Sequence, residues 1–124
     1  MNKILAGLLF YFISIAVLAS PQAQKAITIA LKKGQNTFSI KLTSNPTTGY
    51  RWYLGRCSHG ILPLTAKYTA YKGKLLGAPG SVVWHFKVQP SALDVPRVMK
   101  VQLVYMRAWD HSSASKKTYW IVTG

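Results

Sequence analysis

Apolar residues alternate with polar ones along most of the chain after residue 26, and this period of two restricts the chain to sheet architectures. The clearest stretch is TFSIKL at residues 37–42, where Phe38, Ile40 and Leu42 alternate with a threonine, a serine and a lysine. No stretch of ten residues after residue 19 shows the 3.6-residue period of an amphipathic helix. The sequence therefore predicts a protein built from strands.

The alternation recurs seven times, with turn-forming residues between the repeats. The apolar positions that mark the strands are Ile27, Ile29 and Leu31; Phe38, Ile40 and Leu42; Trp52 and Leu54; Leu62, Leu64, Ala66 and Tyr68; Val82, Trp84, Phe86 and Val88; Met99, Val101, Leu103 and Tyr105; and Tyr119 and Ile121. Seven short strands in a domain of about 100 residues are typical of an immunoglobulin-like sandwich. We therefore expect an all-β fold, an antiparallel β-sandwich of about seven strands.

The first residues have the build of an export signal. Lys3 makes the start basic, residues 4–18 carry no charge, and the run ends in small residues at Ala19. An uncleaved membrane anchor is the alternative, but the apolar run is short for a spanning helix. We expect a signal peptide over residues 1–19 and a single domain over residues 20–124, exported to the periplasm or the external medium and without stable membrane association after cleavage.

The charge balance is one-sided. The chain has 16 lysines and arginines against two acids, Asp94 and Asp110, and removal of Lys3 with the signal leaves 15 basic residues (16 minus 1). Such a surplus favours acidic partners through long-range attraction. The basic residues are spread from Lys25 to Lys117 without a long block, so a solvated, self-repelling surface explains them equally well.

Residue types used in catalysis occur in this chain, but not in useful patterns. Asp110, His111 and Ser112 are adjacent in sequence, and adjacent side chains seldom point at one reacting atom. Cys57 is the single cysteine, so no internal disulfide forms, and it is expected to act as a small buried hydrophobe. Cys57 and His59 could serve as a nucleophile and its base, but no residue is evident that would orient the His59 imidazole. The three histidines lie in separate segments, so we expect no enzyme, no metal site and no cofactor.

Counting strands predicts where the loops lie. If each strand runs opposite to the one before it, the connections at residues 43–50, 70–81 and 107–116 share one end of the sandwich, and those at residues 32–35, 57–61 and 89–97 share the other. The first set contains NPTTGY, a glycine-rich loop and an aromatic residue in Arg107-Ala108-Trp109. Immunoglobulin variable domains bind their partners with loops grouped in this way. The first end is therefore the candidate binding end.

The NPTTG loop is stiff, polar and uncharged. Asn45 is expected to cap the turn with its side chain, Pro46 restricts its own φ, and Gly49 permits a positive φ where the chain re-enters a strand. Thr47 and Thr48 are then held at the apex, and this preorganisation lowers the entropy lost on binding. A well-made turn without a partner has the same composition, so this loop alone does not establish a site.

Trp109 is the residue of the third loop most suited to an interface. Tryptophan and arginine are common interface anchors, and Arg107 lies two residues away. A buried core tryptophan is the alternative, but a position just past a strand end favours exposure.

These three segments, in this order and at these spacings, resemble the motifs of the chagasin-type inhibitors of papain-like cysteine proteases. Residues Asn45, Pro46, Thr47, Thr48, Gly49 and Tyr50 match the first motif in full. The second motif corresponds to Gly77, Ala78, Pro79 and Gly80, with Pro79 where the family usually has glycine. The third corresponds to Arg107, Ala108 and Trp109, with Ala108 where the family usually has proline.

The resemblance implies an immunoglobulin-like sandwich that inserts the three loops into the cleft of a protease, either the organism's own or a host's. Residues 45–50 would cover the catalytic cysteine, Trp109 would pack on aromatic groups at the primed side, and residues 77–80 would line the opposite wall. Inhibition would be reversible and tight, by a monomer that binds no nucleic acid.

A second function class follows from the charge. A cationic immunoglobulin-like module could bind an anionic surface such as nucleic acid or acidic polysaccharide, using aromatic residues interleaved with basic ones as in KYTAYK at residues 67–72. The two functions differ in salt dependence. Anion binding falls steeply with ionic strength and involves many basic residues, whereas inhibition depends on a few loop residues and tolerates salt.

Overall fold

The computed structural model describes residues 26–73 and 75–124, which form two stacked sheets. The strands are β1 (Ile27–Ala30), β2 (Thr37–Ser44), β3 (Tyr50–Cys57), β4 (Ile61–Thr69), β5 (Gly80–Val88), β6 (Val98–Arg107) and β7 (Asp110–Val122), with 3₁₀ helices at Pro46–Thr48 and Pro90–Leu93. The predicted all-β, seven-stranded sandwich is confirmed. The predicted signal peptide lies outside the described residues. Within the described ranges, no helix has the length and apolar character needed to cross a membrane.

One sheet has four strands in the order β1-β7-β6-β3, and the other has three in the order β2-β5-β4. All neighbouring strands are antiparallel except β1 and β7, which run parallel with Ile27 opposite Tyr119. This exception to a purely antiparallel sandwich is possible because β1 and β7 are far apart in sequence, which leaves ample chain for the crossover that parallel strands need.

The core lies between the facing sides of the two sheets. Its fully buried side chains come from the central strands: Phe86, Val88, Val101, Leu103 and Ile121. The predicted alternation is present in β2, where exposed and buried residues alternate along the whole strand. The Phe38 ring stacks on the Phe86 ring with 5.0 Å between centroids, so β2 and β5 are joined by packing as well as by their hydrogen bonds.

A bulge in β4 changes which side chains face the core. Pro63 lies opposite Phe86 and Thr65 lies opposite His85, so Leu64 is the extra residue between two pairs. Because one inserted residue reverses the alternation, Leu62 points away from the core and is 42% exposed, and Leu64 is 53% exposed. The four apolar residues that mark this strand in the sequence therefore do not form one buried face.

The last hairpin is tighter than the sequence indicates. Arg107 pairs with Asp110, so only residues 108 and 109 connect β6 to β7. The predicted loop over residues 107–116 is wrong, because its small polar residues belong to a β7 of 13 residues. A hairpin arm that extends beyond the core has little to bury, and polar residues are then compatible with a strand.

Candidate functional site

The three candidate loops meet at one end of the sandwich, as the strand count predicts. The Asn45 amide nitrogen Nδ2 donates a hydrogen bond to the Gly77 carbonyl at 3.5 Å, which joins the first loop to the second. Arg107 Nε donates to the Thr48 carbonyl at 3.1 Å, which joins the first loop to the third. The NPTTG loop is therefore the middle member of the group and contacts both of its neighbours.

The backbone of the first loop is a single 3₁₀ turn. Pro46 occupies its first turn, where a missing N–H costs nothing, and the turn ends at Gly49 with φ of 83°. The Thr48 N–H donates to the Asn45 carbonyl at 3.2 Å, and the Gly49 N–H donates to the Pro46 carbonyl at 3.0 Å. The positive φ predicted for Gly49 is confirmed, and it turns the chain directly into β3.

The polar side chains of this loop are bonded mainly to the loop itself. The Thr47 hydroxyl donates to Asn45 Oδ1 at 2.6 Å, and the Thr48 hydroxyl donates to the Asn45 carbonyl at 2.7 Å. The Asn45 side chain makes no hydrogen bond to a backbone N–H of the turn, so the expected side-chain cap is wrong. It holds the Thr47 side chain and the second loop instead. The apex is consequently rigid, exposed at both threonines and uncharged.

Three carbonyl oxygens of the loop also accept hydrogen bonds. Those of Asn45 and Pro46 accept bonds within the turn, and that of Thr48 accepts the bond from Arg107. A carbonyl oxygen has two lone pairs, and that of Asn45 uses both, since it accepts from the Thr48 N–H and from the Thr48 hydroxyl. These bonds hold the backbone of the turn in one conformation.

A stack of aromatic and basic side chains supports the loop from β3, β6 and β7. The Arg107 guanidinium lies over the Tyr50 ring at 4.7 Å, and the Tyr50 and Tyr105 rings stack at 5.0 Å. Trp52 continues the stack at 4.8 Å from Tyr105, and Lys117 lies 5.6 Å above Trp52. The stack holds Arg107 in the position from which it reaches Thr48.

Tyr105 is a supporting residue that the motifs do not contain. Its hydroxyl accepts a hydrogen bond from the Asn45 N–H at 3.4 Å, so it holds the start of the turn. The sequence contains one signal for this role: an inward-facing tyrosine near the loop end of a strand requires a partner for its hydroxyl. Which partner it finds depends on the pairing of β3 with β6.

Trp109 is 74% exposed, as its position past a strand end predicts. Its indole lies directly against Gly49, since a Cβ placed on Gly49 would fall on Trp109 Cη2 and within 3.0 Å of Cζ2. Glycine is thus required at position 49 for two reasons: the positive φ, and the close approach of the Trp109 ring. The outer edge of the six-membered ring of the indole rests on the first loop, and the rest of the side chain is available to a partner.

Polar contacts within the hairpin hold the third loop. The Asp110 carboxylate accepts bonds from the Ser112 N–H and the Ser112 hydroxyl, and the Ser113 hydroxyl donates to the Asp110 carbonyl at 2.7 Å. The Arg107 N–H donates to Ser113 Oγ at 3.4 Å. Ala108 is exposed at the tip of a turn that these bonds already define, so the turn forms without the proline usual in the family at this position.

The second loop, at residues 70–79, projects beside the first. It carries Leu75 and Leu76, which are 72% and 102% exposed, and then Gly77, whose carbonyl contacts Asn45. Pro79 is exposed and Ala78 is half-buried. Gly80 already belongs to β5, paired with Ser44, and a Cβ there would overlap the Thr69 carbonyl. Residues 77–80 therefore lie at the same end as the other two motifs.

Cys57 lies at the end of β3 remote from the three loops. Its thiol donates to the Ile61 carbonyl at 3.3 Å, and the side chain packs half-buried against the core, as expected for a small hydrophobe. Burial raises the pKa of the Cys57 thiol, which suppresses the reactive thiolate. The described residues contain no group of three or more His, Cys, Asp or Glu side chains placed to hold a metal ion.

Residues 31–122 match the model of the chagasin family of peptidase inhibitors, family I42. The chain belongs to the chagasin family. Because this is a family of peptidase inhibitors, the expectation that the chain is not an enzyme is confirmed.

The chain is 29% identical over 103 residues to chagasin of Trypanosoma cruzi, an alignment that covers 79% of this chain and 88% of chagasin. A cysteine protease inhibitor of Entamoeba histolytica, EhICP2, has a similar crystal structure, with a TM-score of 0.59 at 19% identity over 80% of this chain and 86% of EhICP2. The solution structure of amebosin gives a TM-score of 0.55 at 25% identity, over 80% of this chain and 88% of amebosin. The chain shares with these proteins the fold that carries its three loops.

Proposed function

We propose that the domain inhibits papain-like cysteine proteases by inserting its three loops into the active-site cleft. The observation that carries this proposal is the junction of the loops: Asn45 is bonded to Gly77, Arg107 is bonded to Thr48, and Trp109 rests on Gly49. The loops therefore form one preorganised surface, and little conformational entropy is left to lose on binding.

The NPTTG turn would lie over the catalytic cysteine without being cleaved. Proteolysis requires the attacked carbonyl oxygen to enter an oxyanion hole and accept hydrogen bonds there. The carbonyl oxygens of Asn45, Pro46 and Thr48 already accept bonds within the inhibitor. These bonds resist the change of backbone conformation that productive binding in the cleft would require, so the turn would obstruct the nucleophile and remain intact.

The lack of charge at the apex suits the same role. Thr47 and Thr48 are exposed and neutral, and their hydroxyl protons are used within the loop. An ion pressed into a cleft without a partner would incur a large desolvation cost, which this apex avoids. Trp109 would supply apolar contact on one side of the cleft, and residues 77–80 would supply backbone contact on the other.

Titration of papain with the mature chain, residues 20–124, tests the proposal. We expect inhibition with a one-to-one endpoint, and the inhibitor should be recovered uncut after long incubation. Thr48→Arg should weaken inhibition strongly, because it introduces a charge at the apex. Trp109→Ala should weaken it by about 30-fold, the effect of losing an interface anchor worth about 2 kcal/mol.

Lys41→Ala is the matched control, since Lys41 lies exposed on β2 and outside the three loops. It should inhibit like the unmodified protein. Absence of inhibition at micromolar concentrations, or equal losses in all three variants, would refute the proposal. We further propose that the domain acts as a monomer outside the cytoplasm, on a protease of its own organism or of a host.

A further inference from the structure

The outer side of the three-stranded sheet carries three lysines that lie outside the three motifs. Lys41 of β2 lies opposite Val83 of β5, which lies opposite Lys67 of β4, and side chains in such register project from the same side of a sheet. Lys87 projects from the same side four residues further along β5. All three lysines are exposed. We call this surface, defined by Lys41, Lys67 and Lys87, the basic face.

The positions between the lysines carry hydroxyl groups and an imidazole together with two apolar residues, Val83 and Leu62. Ser39, His85 and Thr65 form one row across the three strands, and all three are exposed. Thr37 lies opposite Lys87 in the next row. None of the outward-facing residues of β2, β4 and β5 is acidic, so nothing on these strands neutralises the lysines.

The spacing of the charges suits an extended anion. Lys41 and Lys67 are separated by two strand spacings, about 10 Å, and Lys87 is about 13 Å along the sheet from their row. At the loop end, the basic face continues into a shallow groove lined by Lys41, Thr69, Tyr71 and Lys72. The Tyr71 side chain is 49% exposed there and offers a flat apolar ring beside two ammonium groups.

We propose that the basic face binds a linear acidic polysaccharide. Such a chain carries carboxylate or sulfate groups at regular intervals, which match the separated ammonium groups, and sugar hydroxyls, which match side-chain hydroxyls that both donate and accept. Single-stranded nucleic acid fits less well, because each successive base requires an aromatic side chain on which to stack, and along the basic face only the His85 imidazole and, at its loop end, Tyr71 offer a ring.

The two binding functions occupy different parts of the molecule. The NPTTG turn and Trp109 lie at one end of the sandwich, whereas Lys41, Lys67 and Lys87 lie along its side, so a polysaccharide bound to the three lysines would leave the turn and Trp109 exposed. The inference does not depend on protease inhibition, because it is drawn from residues outside the three motifs.

Calorimetric titration of the mature chain with defined heparin oligosaccharides, repeated at several salt concentrations, tests the proposal. A triple variant, Lys41→Gln, Lys67→Gln and Lys87→Gln, should bind at least about tenfold more weakly. The logarithm of affinity decreases linearly with the logarithm of salt concentration. For the triple variant this line should be shallower than for the unmodified protein, by about two to three in slope, since each lost ionic contact releases close to one counterion fewer. Inhibition of papain should not change.

The control variant removes the same charge from the outer side of the other sheet, through Arg56→Gln, Lys100→Gln and Lys116→Gln. These residues pair with Gln102, Trp120 and Val104, and Lys100 already contacts the Trp120 ring at 5.7 Å. We expect at most about a threefold loss for this control. Equal losses in the two triple variants would mean that net charge alone attracts heparin, and would overturn the proposal.

Two further measurements use the unmodified protein. In NMR titrations with the same oligosaccharide, amide shifts should concentrate in β2, β4 and β5 rather than in β6 and β7, and the opposite distribution would overturn the proposal. A single-stranded oligonucleotide of equal charge should bind more weakly than the oligosaccharide. Tighter binding of the oligonucleotide would assign the basic face to nucleic acid and overturn the proposal.

Discussion

Gly49→Ala is the substitution that most directly tests how the loops support one another. Alanine at a φ of 83° costs about 1–2 kcal/mol in backbone strain. The added Cβ would also overlap the Trp109 indole, where ordinary carbon contacts are about 3.5–4.0 Å, so the ring must retreat by about 1 Å or more. Since Trp109 is 74% exposed, the ring can move away at little cost to the fold.

Gly34→Ala is the matched control, because it introduces the same backbone strain at a position with no side chain close to the added Cβ. Gly34 has φ of 82° in the turn between β1 and β2, and a Cβ placed there meets nothing within 4 Å. Gly34→Ala and Gly49→Ala should therefore lose similar amounts of unfolding free energy, about 1–2 kcal/mol, in urea titrations monitored by tryptophan fluorescence.

Inhibition should separate the two variants. Displacement of Trp109 should remove about 1–2 kcal/mol of binding free energy, so Gly49→Ala should raise the inhibition constant for papain by about 5- to 30-fold. Gly34→Ala should leave that constant within about twofold of the unmodified value. If both variants inhibit equally well, the packing of Trp109 on Gly49 does not matter for binding. If both weaken equally, the effect comes from general stability.

Side chains beneath the loops, the half-buried Cys57 and the buried Tyr119 offer further tests. Tyr105→Phe removes the acceptor for the Asn45 N–H and should cost about 0.5–1.5 kcal/mol of stability in urea, with a weaker inhibition constant; unchanged values for both would show that the hydroxyl does not hold the turn. Arg107→Lys keeps the charge but loses the Nε bond and the planar stacking, so it should weaken papain inhibition several-fold, and full retention would mean that charge alone matters. Burial raises the pKa of Cys57 and that of Tyr119, so the folded state holds both protons more tightly than the unfolded chain does. The contribution of these two groups to stability should then be constant below about pH 8 and fall as pH rises through their unfolded pKa values. A Cys57→Ala, Tyr119→Phe variant should show a urea midpoint that changes less between about pH 8 and pH 10.5.

Much of this fold follows from local rules that the sequence states directly. The strict alternation in β2 predicts a strand with one buried side, and the structure has one. Proline and glycine at the two ends of NPTTG predict a tight turn with a positive φ at Gly49, because both restrict or permit backbone angles without help from distant residues. The position of Trp109 beyond a strand end predicts its exposure. Local backbone preference and side-chain polarity are sufficient for each of these predictions.

Other features depend on which strands lie side by side, and these only the tertiary structure decides. The bulge at Leu64 reverses the alternation of β4, and the small polar residues after Asp110 form a strand because β6 offers them a partner. Tyr105 and Arg107 support the NPTTG turn across about 60 residues of sequence because β3 pairs with β6. Hydrogen-bond partners at such separations are set by register rather than by local preference. The sequence by itself therefore specifies the turn, and the folded sandwich specifies what holds that turn against its two neighbours.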